Sequence, residues 1–162
     1  MTMPGHRLAI ALAVLVCAGP ALARTSSDLM RDLTVKSTVT RGDCMDAAAA
    51  LVAGAAAPTD PGAVMRLLRQ HRVLRGSEAD QPVRAATRGF ACLLFARALD
   101  ERGGVMRHLL PSSEHYAYRH LEFLGLIPAG GSGRPVTGLE LVSLLSLSRK
   151  RLAGRDSGEA AR

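Results

Sequence analysis

Ala86-Thr87-Arg88-Gly89-Phe90-Ala91-Cys92-Leu93-Leu94-Phe95-Ala96-Arg97-Ala98-Leu99 opens on a threonine and continues as a run that is apolar around most of a helical circumference. Threonine before such a run predicts an N-capped helix, and a helix without a broad polar face belongs in the middle of a core. The pattern recurs on both sides. Val39-Thr40-Arg41-Gly42-Asp43 opens an alanine-rich run, and Val136-Thr137-Gly138-Leu139-Glu140 opens a leucine-rich one. The threonines are 47 and 50 residues apart. A similar motif at near-constant spacing is the sequence signature of a repeat architecture.

The caps differ among the three copies. Thr40 with Asp43 and Thr137 with Glu140 form capping boxes, in which the hydroxyl accepts a backbone N–H and the carboxylate reaches back to the cap residue. Thr87 has Phe90 at the acid's position, so only half of the box remains. Between the core runs, Asp60-Pro61 starts an amphipathic helix with Val64, Leu67, Leu68 and His71 on one face and Arg66, Arg69 and Arg72 largely elsewhere. Gly76 is the expected left-handed residue ending it, and Gly103 or Gly104 the one ending the central run. Ala117, Leu121 and Leu124 mark a further helix that Gly125 stops. The order is core, surface, core, surface, core, and no stretch alternates as a strand would, so the class is all-α. Residues 24–39 read as a lead-in segment or a short helix, residues 40–152 as the repeat domain, and residues 153–162 as a disordered tail.

With 162 residues, 48% of them hydrophobic and 22% charged, the chain fits one globular unit. Aromatic residues are only 3% and Trp is absent, so the core must rest on Leu, Val, Ala and Met. Residues 1–23 carry a basic start (His6, Arg7), an apolar run over 8–18 and a small-x-small end at Ala21-Leu22-Ala23. They read as a secretory signal peptide cut before Arg24. The run is shorter than the roughly 20 residues of a membrane span. Lipid attachment at Cys17 is disfavoured because Val16 stands where a small residue is expected. The chain is therefore expected in the periplasm or cell envelope. Loss of Arg7 takes Lys plus Arg from 21 to 20 against 14 acids, a formal +6. Solubility and an anion-binding role are both compatible with that charge, since no run of five or six basic residues exists.

The later units align beyond the threonine. His71-Arg72-Val73-Leu74-Arg75-Gly76, a loop, Pro82 and Thr87-Arg88-Gly89 parallel Leu124-Gly125-Leu126-Ile127-Pro128-Ala129-Gly130, a loop, Pro135 and Thr137-Gly138-Leu139-Glu140. This arrangement resembles the S-layer homology domain, whose repeats run from a helix with an aromatic-Ala pair through a Gly-Ile-Ile-like ending to a Thr-Arg-Ala-Glu-like helix start. Tyr116-Ala117 corresponds to the aromatic-Ala pair. The resemblance covers residues 40–152. It implies helix-loop-helix repeats in a pseudo-threefold spindle around a central three-helix bundle, and non-covalent attachment to cell-wall polysaccharide with helix-start arginines holding an anionic sugar group. On that footing Arg41 and Arg88 are the candidate ligand-binding arginines, and Tyr116 and Tyr118 candidate sugar-stacking surfaces. Only Thr40-Arg41-Gly42-Asp43 keeps threonine, arginine and acid together. The second copy lacks the acid and the third has Gly138 in place of arginine.

Cys44 and Cys92 stand four and five residues after their threonines. A disulfide and two small buried apolar side chains are both compatible with that placement. His71, His108, His115 and His120 form no i, i+4 pair and have no cysteine nearby, so no metal site is expected. The nucleophile and phosphate-loop motifs of common enzymes are absent, and the glycines of residues 129–133 lack the preceding strand and the lysine of a nucleotide site. No catalytic role and no cofactor is expected. The expected partner is an anionic envelope polysaccharide, or, if the sugar site has eroded, another envelope protein, with nucleic acid a distant alternative.

Overall fold

The computed structural model describes residues 25–101 and 113–159; the expected signal peptide, Cys17, Gly103 and Gly104 lie outside them. Six α-helices occupy the described residues: α1 (Ser26–Thr34), α2 (Arg41–Ala53), α3 (Pro61–Gln70), α4 (Arg88–Ala98), α5 (Glu114–Phe123) and α6 (Gly138–Glu159). The protein is all-α, with two isolated bridges, Thr40 with Ala85 and Thr87 with Pro135, as its β-like pairings among the described residues.

The helices capped by Thr40, Thr87 and Thr137 form the centre of the core. Every residue of α4 from Arg88 to Ala96 is buried, and α2 buries Cys44, Met45 and the run Ala47 to Leu51. Alanine on α2 allows close approach of its neighbours, with α4's Phe90 and Phe95 supplying bulk. α2, α4 and α6 pack on one another, while α3 packs on α2, α5 on α4 and α1 on α6. The outer helices bury one stripe each: Leu29 and Leu33 of α1, Val64 and Leu68 of α3, Ala117, Tyr118 and Leu121 of α5.

The residues just before the three caps are joined directly. Val39 N–H donates to the Val136 carbonyl (3.2 Å), Val136 N–H to Ala86 (3.0 Å) and Ala86 N–H to Val39 (2.9 Å), closing a ring of three backbone hydrogen bonds. All three residues are fully buried. One residue beyond each cap, the first helical N–H is received by the chain leading to the next cap: Arg41 by Arg84 (2.8 Å), Arg88 by Arg134 (2.8 Å) and Gly138 by Lys36 (3.0 Å). Helix N-termini leave four N–H groups without intrahelical acceptors, and here neighbouring extended segments supply acceptors to some of them.

Three local expectations need amendment, and of the two alternatives for residues 24–39 the short helix is the one seen. Residues 24–39 contain a true helix, α1, whose Leu29 and Leu33 join the core; its four-residue apolar spacing is too short a pattern to stand out in sequence. α3 ends at Gln70, earlier than its glycine implies: Arg72 (φ 57°) makes the left-handed turn that closes it, Gly76 (φ 52°) takes a left-handed conformation only further along the exit segment, and His71 is exposed. Asp100 (φ 49°) takes the same role after α4. The tail expected to be disordered is helical as far as Glu159. Arg155, which anchors it, donates to the Leu99 carbonyl (2.8 Å) and to Glu101 (2.6 Å).

Candidate functional site

The first residues of α2 and α4 are arginines that project toward the start of the next core helix. Thr40 and Asp43 form the expected capping box (Thr40 N–H to Asp43 Oδ2, 2.8 Å; Asp43 N–H to Thr40 Oγ1, 3.2 Å), which places Arg41 at the first helical position. Its guanidinium lies over the Phe90 ring, 4.5 Å from the centroid. Phe90 is the third residue of α4, where the other copies carry an acid. A cation on an aromatic face thus stands where an ion pair would be.

Arg88, the first residue of α4, is buried, and its Nη2 meets Glu140 Oε1, the third residue of α6. Glu140 also closes the capping box with Thr137, accepting its N–H at 3.0 Å while Glu140 N–H donates to Thr137 Oγ1 at 3.2 Å. Burial alone would favour the protonated acid. The Thr137 N–H and the Arg88 guanidinium outweigh it and hold Glu140 below the usual carboxylate range.

The third junction lacks an arginine because a Cβ at Gly138 would collide with the Leu33 carbonyl and lie 2.9 Å from that of Lys36. Lys36 fills the electrostatic gap: its Nζ pairs with Asp43 Oδ1 at 2.6 Å. Burial opposes ionisation of Asp43, but Lys36 and the Thr40 groups prevail and hold it low. Thr87, without its own acid, donates its hydroxyl to Glu114 Oε2 of α5 (2.9 Å) and accepts from Phe90 N–H (3.1 Å).

Tyr118 and Arg88 meet under the glycine-rich turn. The Tyr118 hydroxyl is within hydrogen-bonding distance of the Pro128 carbonyl (3.0 Å) and Glu122 Oε1 (3.2 Å), and Glu122 Oε1 also accepts Gly130 N–H (3.3 Å). A Cβ at Gly130 would collide with Arg88 Nη1 and sit 3.6 Å from the tyrosine hydroxyl, so glycine is required for the turn to close. Tyr118 is buried, and burial with the nearby Glu122 carboxylate raises its phenol above the usual range. Tyr116 is half-buried and meets the His115 ring edge-on, centroids 5.5 Å apart. Of the four ligand candidates, Arg88 and Tyr118 therefore share one internal cluster, while Arg41 is engaged with Phe90.

Comparison with family models, curated proteins and solved structures found no match. The chemistry is therefore read from the described residues alone.

Cys44 and Cys92 are buried free thiols rather than a disulfide. Burial, reinforced by the Asp43 carboxylate, drives the Cys44 thiol upward, and burial pushes that of Cys92 up to about 12. Both are unreactive as nucleophiles at neutral pH. Among the described residues no group of three or more His, Cys, Asp or Glu could hold a metal, and no helix is long and apolar enough to cross a membrane. The pocket between α1 and α2, lined by Thr25, Leu29, Asp46, Ala50 and Thr59 among others, contains one carboxylate and two hydroxyls without a histidine or cysteine partner.

Sequence reasoning missed three tertiary links. Besides Lys36 with Asp43, Arg97 is forked onto Glu78 (shortest contact 2.8 Å) and donates to the Val73 carbonyl (3.0 Å), tying α4 to the end of α3. Arg151 and Arg155 both reach Glu101 at 2.6 Å. The partners in the last two links lie 19 to 54 residues apart, beyond any local pattern.

Proposed function

We propose that this chain is an exported, non-catalytic helical module of the cell envelope, built like S-layer homology repeats, that holds an anionic wall polysaccharide. The observation that carries the repeat reading is the closed ring of Val39, Ala86 and Val136, each one residue before a capping threonine. In this reading the three cap segments are pseudo-equivalent and meet on a threefold axis, with α2, α4 and α6 as the central bundle. Export is supported by the basic start, apolar run and small-x-small end of residues 1–23. The excess of basic over acidic residues, 21 against 14, supports an anionic partner.

Sedimentation with purified, protein-free wall polysaccharide tests the activity. Co-sedimentation that falls with added salt is expected, and a protein left in the supernatant at low salt overturns the reading. Mass spectrometry of the exported protein should find Arg24 as the first residue.

A protein partner is the second reading, favoured by the exposed large apolar side chains Val35 (83%), Val83 (86%), Phe123 (86%) and Leu139 (63%). It predicts a cross-linked complex with one envelope protein that survives digestion of the polysaccharide.

A further inference from the structure

Among the described residues some basic side chains are engaged within the fold, while others have no ion pair; of the latter, Arg31, Arg84, Arg134 and Lys150 are spread along the chain and four more lie close in sequence around one helix. Arg41, Arg88, Arg97, Arg119, Arg151 and Arg155 are engaged by rings, carboxylates or carbonyls within the fold. Arg66, Arg69, Arg72 and Arg75 have no ion pair among the described residues, and all four are exposed within ten consecutive positions. α3 itself contains no acid, and the acid that caps it, Asp60, accepts Ala63 N–H at 2.7 Å. Glu78, three residues past Arg75, is taken by Arg97. A concentrated positive field therefore remains on the outer side of α3 and its exit turn.

Arg72 adds an independent observation. It sits at φ 57° where the parallel turn after α5 has Gly125 at φ 69°, and both turns make the same closing bond, Val73 N–H to Leu68 (2.8 Å) and Leu126 N–H to Leu121 (2.9 Å). A left-handed backbone is unfavourable for arginine and free of penalty for glycine. The fold would be better served by glycine at 72; Asp100 takes the same position after α4 at φ 49°, and what sets Arg72 apart is that its left-handed turn presents a cation among the exposed arginines around α3.

We propose that Arg66, Arg69, Arg72 and Arg75 form the docking surface for a carboxylated polysaccharide. This rests on the polysaccharide reading above and moves the contact away from Arg41 and Arg88. A glycan fits better than a lipid surface because Val64 and Leu68 are buried and Met65 and Leu67 are half-buried against the core, leaving no apolar group on α3 to insert. It also fits better than single-stranded nucleic acid, because no Phe, Tyr or Trp lies between 61 and 80 and the exposed His71 is the single ring there that could stack on a base. Guanidinium forks pair with carboxylates in two parallel hydrogen bonds, which suits a chain of uronic-acid-type groups.

The test compares the mature wild-type chain, Arg72→Gly, and the quadruple variant Arg66→Gln/Arg69→Gln/Arg72→Gln/Arg75→Gln. Probes are polygalacturonate, vesicles of phosphatidylglycerol with phosphatidylcholine, and single-stranded DNA. Polygalacturonate should bind wild type in a salt-dependent manner and bind the quadruple variant at least about tenfold more weakly, with the melting temperature unchanged. Arg72→Gly should bind more weakly yet melt about 2–4 °C higher. Equal binding by wild type and the quadruple variant overturns this surface while leaving the polysaccharide reading intact. Failure of wild type to bind polygalacturonate and wall polysaccharide overturns both. Binding to vesicles or DNA alone, lost in the quadruple variant, keeps the surface and replaces the glycan as its partner, which also overturns the proposal as stated.

Discussion

The guanidinium of Arg41 lies over the ring of Phe90, at the position where Arg88, one repeat later, meets the carboxylate of Glu140. One junction between core helices is thus closed by a cation on an aromatic face and the next by an ion pair, and the two should respond differently to loss of the arginine. Arg41→Ala should destabilise by about 0.5–1 kcal/mol. Arg88→Ala leaves Glu140 partly buried without its cation and should cost about 3 kcal/mol. Urea unfolding of the two variants checks the order; equal losses would show that the two junctions are not energetically distinct.

Glycine at the helix starts is required by space rather than by flexibility. A Cβ at Gly138 would collide with the Leu33 carbonyl, and the clash is with backbone, so Gly138→Ala should destabilise by at least about 2 kcal/mol despite alanine's better helix propensity. Gly154, within α6, has nothing within 4 Å of such a Cβ. Gly154→Ala should therefore stabilise by about 0.5–1 kcal/mol. Thermal melting of the pair should show shifts of opposite sign.

Asp43 and Glu140 are both held below the usual carboxylate range in the folded chain. A depressed carboxylate contributes stability that is complete above its unfolded pKa, roughly pH 4, and is lost as pH falls through the lower folded value. Stability should decline on acidification below about pH 4, and the double variant Asp43→Asn/Glu140→Gln should be less stable at pH 7 with a flatter acid limb. Urea midpoints measured between pH 2 and pH 7 would reveal a limb as steep as wild type if other groups govern acid unfolding.

Cys44 and Cys92 are buried and unpaired. Under native conditions neither should react with a thiol reagent within the time that labels both in denaturant. Intact mass of the chain beginning at Arg24, which lacks Cys17, should show two free thiols without reductant. A mass lower by about two daltons would mean a disulfide and a rearranged core.

Glu101 holds the last turns of α6 through Arg151 and Arg155, and its side chain is only 7% exposed. Glu101→Gln should destabilise by about 1–2 kcal/mol. It should also fray the helix beyond Lys150, read as faster amide exchange there and slower change elsewhere. Uniformly increased exchange would contradict a local anchor.

The helices were legible because their signals act within one turn. Thr40 with Asp43 and Thr137 with Glu140 are three residues apart, and the apolar circumference of residues 90–96 is itself a statement of burial. α1 was marginal because two leucines four apart, Leu29 and Leu33, make too short a pattern to distinguish from chance. Arg72 was missed as the turn residue because propensity favours the nearby Gly76, whereas the turn position follows where α3's last backbone bonds close. The candidate site was least legible. A helix-start arginine looks solvent-facing in sequence, and its engagement depends on a partner 52 residues away in the case of Arg88.

By itself, the sequence determined that three related threonine-capped helices would be buried and that the chain would be all-α, since periodicity and capping are local properties of the backbone. Only the tertiary structure decided which cations are left without an ion pair. Charge on a side chain is set by its type, but its availability is set by whatever carboxylate, ring or carbonyl the fold brings against it. Thr87-Arg88 therefore marks a helix start in sequence, and in the folded chain it marks a junction already closed by Glu140, whereas Arg66, Arg69, Arg72 and Arg75 on α3 and its exit turn keep no ion pair among the described residues.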